Sequence, residues 1–203
     1  MASLVLNGNT SGSVTISSPA VSGTTTLTLP TTSGTVLTNG TNTNFPAGSV
    51  LQVVQTVKSD TYSTTSSTFN DVTGLSVSIT PSSSSNKILV FVDAALGVTN
   101  AAYGAQLRLL RNSTAIYIGD AAGSRDRSMM QLAGDVSGCQ YQVIRTNGQY
   151  LDSPATTSSV TYKVQINSGN NSSTSYINRT VYDTDSVGLG RFASSITVME
   201  VKG

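Results

Sequence analysis

Hydrophobic and polar residues alternate along most of the chain with a period of two, which predicts β-strands with one buried and one wet face. No stretch of about a dozen residues keeps an apolar stripe at helical spacing. The predicted strands span 50–57, 75–79, 87–93, 106–110, 115–118, 140–145, 160–166, 175–182 and 195–201. The chain is therefore predicted to be all-β, and strands of this number and length in about 150 residues indicate a jelly-roll-like β-sandwich.

Some of these segments carry more specific predictions. The run 87–93 is apolar on both faces, which predicts a central strand. The string Arg111-Asn112-Ser113-Thr114 lies between two strands and predicts a hairpin turn. Segment 119–138 is rich in glycine and predicts a long connection with one short strand. Because the last strand ends almost at Gly203, we expect the C-terminus to be held inside a sheet.

The first part of the chain follows an eleven-residue repeat instead. Ser-Gly pairs begin at Ser11, Ser22 and Ser33, and Pro19 and Pro30 keep the same spacing. A short fixed repeat is typical of elements that stack or wind, and each unit has too few apolar residues to bury a core alone. Three chains around an axis could enclose the apolar row. The predicted trimer stem consists of Val14, Ile16, Leu27, Leu29, Val36 and Leu37.

These patterns divide the chain into three parts. Residues 1–38 are the predicted repeat arm, which would serve trimerisation and anchoring. Residues 39–49 are rich in Asn and Gly and are predicted to be a joint. Residues 50–203 are the predicted sandwich head. The alternative for the arm is a disordered Ser/Thr-rich tail. Disorder alone, however, would not place both the Ser-Gly pairs and the prolines at the same eleven-residue spacing.

Composition excludes several classes of function. The chain has 203 residues and a net charge of +1, which provides no electrostatic footprint for nucleic acid or an anionic membrane. No apolar run approaches the ~20 residues that span a bilayer, and the N-terminal residues lack a secretory signal. We therefore expect synthesis in the cytoplasm without secretion, no nucleic-acid binding and no membrane insertion. The single cysteine, Cys139, rules out an intrachain disulfide and is predicted to be a small buried residue.

Catalytic and metal chemistry find little support in the sequence. With no histidine in the chain, neither a Ser-His-Asp nor a Cys-His nucleophile can form, and the usual zinc sites are excluded. We expect no enzymatic activity and no cofactor. Two aspartates could still form a glycosidase pair. Asp183 and Asp185 are better explained as turn residues, with calcium as the alternative, and Met129-Met130 as core or subunit-interface filler.

The tyrosines suggest a binding role. The chain has eight of them and no tryptophan. Tyrosine rings pack against apolar surfaces while their hydroxyls form hydrogen bonds, a combination that suits sugars. Tyr103, Tyr150 and Tyr176 are the candidates for contact with a surface glycan. The alternative is that they pack within or between the sheets.

Three segments in roughly the first ninety residues resemble structural proteins of tailed bacteriophages. The arm, from Ser11-Gly12-Ser13-Val14-Thr15-Ile16 to Thr38, resembles a repeat of predicted tail fibres. The stretch Gly48-Ser49-Val50-Leu51-Gln52-Val53-Val54-Gln55 resembles the opening of C-terminal heads in such proteins. Gly74-Leu75-Ser76-Val77-Ser78-Ile79-Thr80-Pro81, with Asn86-Lys87-Ile88-Leu89-Val90, resembles a segment of the same heads.

The resemblance implies a homotrimeric virion protein with an intertwined stem and a sandwich head, exposed on the particle surface. Comparable trimeric jelly rolls occur in fibre knobs, head-decoration proteins and the heads of tumour-necrosis-factor and complement-type proteins. The expected function is a short tail fibre that contacts the host surface, with tail or baseplate proteins and a host glycan as partners. Because the chain has neither a long shaft nor a dedicated attachment domain, a capsid decoration protein that binds the major capsid protein is the alternative. A carbohydrate-binding module is the third possibility.

Overall fold

The computed structural model describes residues 3–7, 10–17, 23–24, 26, 31, 45–99, 104–132 and 139–203. The chain divides into two units, Met1–Thr38 and Asn39–Gly203, which are considered separately.

The first unit contains an antiparallel hairpin of β1 (Ser3–Asn7) and β2 (Ser13–Ser17). Gly12 in its turn has φ 79°, a left-handed conformation that glycine adopts at little cost. The register sets Leu4 opposite Ile16 and Leu6 opposite Val14, so four apolar positions share one face. Leu6 and Ile16 are exposed. Of the predicted stem, Leu27, Leu29, Val36, Leu37 and the side chain of Val14 lie outside the described residues.

The described part of the head is all-β apart from one 3₁₀ turn, Cys139–Tyr141. Its strands are β3 (Val50–Lys58), β4 (Tyr62–Thr64), β5 (Asn70–Ile79), β6 (Lys87–Val98), β7 (Ala105–Arg111), β8 (Thr114–Ile116), β9 (Met130–Leu132), β10 (Ile144–Asp152), β11 (Val160–Asn167), β12 (Ser175–Ile177) and β13 (Ser194–Val201).

These strands form two antiparallel sheets. In the first, β6 pairs with β10 along one side and with β13 and β12 along the other. Beyond them, β3 pairs with β13 and β4 with β12. In the second, β11 lies between β5 and β7, and the far side of β7 pairs with β8 and β9. The prediction of an all-β chain is confirmed, as are the central position of 87–93 and the enclosure of the last strand.

Both sheets contribute to one hydrophobic core, an arrangement consistent with a β-sandwich. The alternating inward residues of β5 and β11, such as Leu75 and Val164, join those of β6 and β13, such as Val90 and Ile196. All four side chains are fully buried. Met129 and Met130 pack against this core from the long connection, where β9 is the short strand in its described part.

Two predicted strands were placed wrongly. The segment 140–145 begins as the 3₁₀ turn, and the strand runs instead from Ile144 to Asp152. The segment 175–182 stops at Ile177, because Asn178 adopts φ 67° and its buried side chain closes a turn. The Asn178 amide donates to the carbonyls of Lys58 (2.8 Å) and Asp60 (2.9 Å), and its Oδ1 accepts from Ser194 (2.6 Å).

A polar contact joins the two sheets inside the core. Asp152, at the end of β10, accepts hydrogen bonds from the Tyr162 hydroxyl on β11 (2.7 Å) and from Arg111 at the end of β7 (2.9 Å). Asp152 and Tyr162 are buried. Burial and the hydrogen bond to Asp152 raise the pKa of the Tyr162 phenol well above its usual value, so the phenol stays protonated and donates this hydrogen bond at any ordinary pH.

Removing each partner of this contact should have a graded effect. Tyr162→Phe deletes one hydrogen bond but leaves Asp152 paired with Arg111, so we expect a loss of about 1 kcal/mol in the free energy of unfolding. Asp152→Ala leaves a buried hydroxyl and a half-buried guanidinium without their acceptor, which should cost about 2–3 kcal/mol. Urea unfolding of both variants measures which of them loses more free energy of unfolding. Equal losses would contradict the central role of Asp152.

Candidate functional site

The outer face of the first sheet carries an apolar surface. Outward-facing Val53, Met199, Leu89 and Leu151 lie side by side on β3, β13, β6 and β10, as the register of the three strand pairs shows. Val50 and Val201 form a second, shorter row beside them. We call these six residues the apolar sheet face. Val53 is 55% exposed, and Val50 and Leu151 are similarly uncovered.

Strand alternation explains how this face arises. Buried Ile88, Val90 and Val92 on β6 occupy the even positions, so Leu89 and Phe91 must point away from the core. On most half-solvated sheets such positions are polar. Here Lys87 is the one charge on β6 at that end of the sheet, and Val53 follows the same outward direction on β3. Neighbouring apolar side chains that are exposed or half-exposed on one sheet face are typical of a protein contact site.

A cleft of about 440 Å³ lies further along the same strands, where β10 is the outermost described strand of the sheet. We call it the tyrosine cleft. The residues that line it are Phe91, Val92, Asp93, Tyr117, Asn147, Gly148 and Gln149. The register sets Asn147 opposite Asp93 and Gln149 opposite Phe91. Two amides, one carboxylate and one aromatic ring therefore lie next to one another on the outer side of the sheet.

The structure places the three candidate tyrosines very differently. Tyr103 lies outside the described residues. Tyr176 is buried in β12, and the guanidinium of Arg179 lies 4.1 Å from the centre of its ring, which leaves little ring surface for a glycan. Tyr150 is half-buried in β10, and its ring stacks on Tyr117 at a centroid distance of 5.3 Å.

Tyr117 forms the aromatic wall of the cleft. It follows β8 directly, is 42% exposed and has φ 52°, a conformation that is uncommon for a bulky side chain. The stack with Tyr150 is tilted by only 26° and holds the ring at the edge of β10. Sequence reasoning missed Tyr117, and nothing in its local pattern distinguishes it from the other tyrosines.

Gly148 allows β10 to pack closely against Met129. A Cβ atom at Gly148 would lie 2.7 Å from the Met129 sulfur, closer than any real contact, so a side chain here would push Met129 out of its position. The glycine therefore lets the core side of β10 pack tightly while Asn147 and Gln149 project outward on either side of it.

The charges around the cleft are balanced. Arg145 donates to Asp93 at 3.1 Å and also to the carbonyl of Ala193 at 3.0 Å. Asp93 therefore keeps an arginine partner while it lines the cleft. The side chains of Asn147 and Gln149 have no hydrogen-bond partner within the described part of the chain. The cleft is thus aromatic and amide-rich without a net charge.

Of the other acidic candidates, Asp183 is held by structural partners and Asp185 is exposed. Asp183 forms ion pairs with Arg179 (3.0 Å) and Arg191 (2.7 Å). Across the described ranges, no three His, Cys, Asp or Glu side chains gather in a group that could hold a metal. The side chain of Cys139 lies outside the described residues. No helix in the described ranges is long and apolar enough to cross a bilayer.

Glu200 is fully buried at the end of β13, and sequence reasoning assigned it no role. Its Oε1 accepts from the Ser82 backbone N–H (2.6 Å), the Ser82 hydroxyl (2.8 Å) and the Asn86 amide (2.6 Å), and its Oε2 accepts from Gln52 (2.6 Å). Burial by itself would raise the pKa of Glu200, but these hydrogen bonds together hold it below its usual value.

A scan of the chain against protein-family models gives no match, and a search of the curated proteins gives none either.

Proposed function

We propose that this chain is a non-enzymatic, homotrimeric surface protein of a tailed-bacteriophage virion, and specifically a short tail fibre whose head contacts the host surface. The observation that carries the proposal is the apolar sheet face, which a single chain leaves exposed. Apolar surfaces of this kind are covered by a partner in stable assemblies. The phage resemblance of the arm and of the first head segments supplies the biological setting.

Copies of the same chain are the partner that fits the face best. Self-association would bury Val50 and Val53 of β3, which are both more than half exposed in the single chain. The face has no acidic residue and only Lys87 at its border, so like charges would not oppose association.

The arm supports association independently. The hairpin of β1 and β2 has apolar residues at all four positions of one face, and Leu6 and Ile16 are exposed. An isolated two-stranded hairpin is marginally stable in water, and burial against other copies would stabilise it. We propose that residues 1–38 form an intertwined stem and that the head is a jelly-roll-like sandwich.

The carboxylates support a binding role rather than catalysis. Asp152 is held by Arg111 and Tyr162, and Glu200 by the donors of the loop before β6. Asp93, the acidic residue of the cleft, is paired with Arg145. A glycosidase needs two carboxyl groups on either side of its substrate, one of them free to transfer a proton. The three carboxylates described here are instead held by hydrogen bonds or ion pairs.

Labelling of intact particles with antibodies against the head tests the location. We expect label at the tail tip and a trimer in native mass spectrometry of the purified chain. Label spread over the capsid, at on the order of hundreds of copies, would favour a decoration protein at local three-fold axes instead. A monomer at micromolar concentration, or particles without label, would contradict the proposal.

A second experiment addresses host contact. Monovalent antibody fragments against the head should slow adsorption of particles to host cells, because they cover the contacting surface. Fragments against an unrelated capsid protein are the control. Unchanged adsorption with all heads occupied would rule out a receptor-contacting role.

A further inference from the structure

The tyrosine cleft combines features that point to one class of ligand. It offers two aromatic surfaces, Phe91 and Tyr117, and two side-chain amides, Asn147 and Gln149, around a space of about 440 Å³. A volume of this size accommodates a small molecule rather than a protein surface. A few convergent polar groups on an apolar wall are the usual composition of such sites.

The backbone strain at Tyr117 is the strongest indication that the cleft is a built site. A bulky residue at φ 52° costs free energy that glycine or asparagine would avoid. Strained positions of this kind concentrate at ligand-binding sites, where the surrounding structure maintains them. Here the result of the strain is a tyrosine ring with one face on Tyr150 and the rest of its surface exposed to the cleft.

The polar side of the cleft suits a neutral ligand that carries hydroxyl groups. Each amide of Asn147 and Gln149 can donate and accept, as a hydroxyl can. Asp93 adds a strong acceptor, and the positive charge of Arg145, 3.1 Å away, offsets the negative charge that would otherwise select a cation. A phosphate or other anion would meet this carboxylate and two amides, which is a poor anion site.

We propose that the tyrosine cleft binds a neutral sugar unit. The apolar face of the sugar ring would lie on Tyr117 and Phe91, and its hydroxyls would bond to Asn147, Gln149 and Asp93. The inference rests on the proposed function only for the source of the sugar, a glycan of the host surface. On the outer side of the sheet the cleft begins one register pair beyond the apolar sheet face, because Phe91 and Gln149 follow Leu89 and Leu151 along β6 and β10.

Titration of the full-length protein with neutral sugars, followed by NMR chemical shifts, tests the proposal. The probes are glucose, galactose and N-acetylglucosamine as monosaccharides and short oligomers. We expect saturable shifts at residues of the cleft with at least one of them. Tyr117→Gly removes the ring at a position whose φ suits glycine, so the variant should fold normally and bind at least tenfold more weakly.

Matched variants make the result specific. Tyr117→Phe keeps the ring and should retain most of the binding, whereas Asn147→Ala should weaken it several-fold. Tyr141→Ala is the control, because Tyr141 is 63% exposed and belongs to a different aromatic pair, a tilted one with Tyr182, and does not line the cleft. It should leave the binding unchanged.

Three outcomes would overturn the proposal. They are the absence of saturable shifts with every sugar, binding that survives Tyr117→Gly, and shifts produced only by an extended peptide, which would indicate strand addition at the edge of β10. Because the titration uses purified protein, its result is independent of particle labelling. Sugar binding by a protein found on the capsid would overturn the tail-fibre function but not the cleft.

Discussion

Replacing Glu200 with alanine is expected to lower the free energy of unfolding by about 3–4 kcal/mol. Glu200 is fully buried and accepts four hydrogen bonds from three residues. The alanine variant leaves the buried Asn86 amide and the Ser82 N–H without this acceptor. It also loosens the Asn86 side chain, whose Oδ1 accepts from the Gly203 N–H at 3.2 Å just beyond the last strand.

The pH dependence of the free energy of unfolding separates the contribution of the Glu200 charge from that of its packing. Its folded pKa is lowered from the usual 4.5, so ionised Glu200 stabilises the fold at neutral pH. This contribution is present above the unfolded pKa and is lost as the pH falls through the folded value. Protonated Glu200 should then resemble glutamine.

Glu200→Gln is therefore the matched control. At neutral pH it should be destabilised by about 1–3 kcal/mol, because one of its side-chain atoms becomes a donor that faces donors. The difference from the wild-type protein should shrink as the pH falls below about 4. Chemical unfolding at a series of pH values measures it. A difference that stays constant into acid would show that the ionised form has no special role.

The sequence contained part of this result. Glu200 lies two and four residues after Val198 and Ile196 in an alternating strand, so all three side chains point to the same face, and the structure buries all three. Alternation also located the second half of β5, and the run 87–93, apolar on both faces, located the first part of β6. The partners of Glu200 could not be predicted, since Ser82 and Asn86 belong to a loop whose position depends on the folded sheets.

β10 shows where local patterns fail. Asn-Gly is the strongest short-range signal for a hairpin turn, yet Asn147-Gly148 lies in the middle of a strand. The tertiary structure overrides the local preference, because Met129 occupies the space beside Gly148. The tyrosine cleft was missed for the same reason. Asn147 reaches Asp93 only through the antiparallel register of β10 and β6.

Replacing Val53 with aspartate is expected to weaken self-association at least a hundredfold while leaving the protomer folded. In the single chain Val53 is 55% exposed, so a polar substitution there should change protomer stability by less than about 1 kcal/mol. In an assembly that covers the apolar sheet face, the same carboxylate would be buried without a partner, at a cost of several kcal/mol. Sedimentation of the full chain over a concentration series measures the change.

Val57→Asp is the control, since Val57 lies on the same strand and is 58% exposed but falls outside the apolar sheet face. Four residues along a strand separate the two positions by about 13 Å, enough to distinguish a local interface from a general effect of charge.

The arm is tested by Ile16→Asp with Leu27→Asp, which should cost the trimer several kcal/mol. Because the arm and the face would act on one assembly, combining the arm and face variants should yield monomers. Trimers that persist in the combined variant would exclude both surfaces as the basis of association.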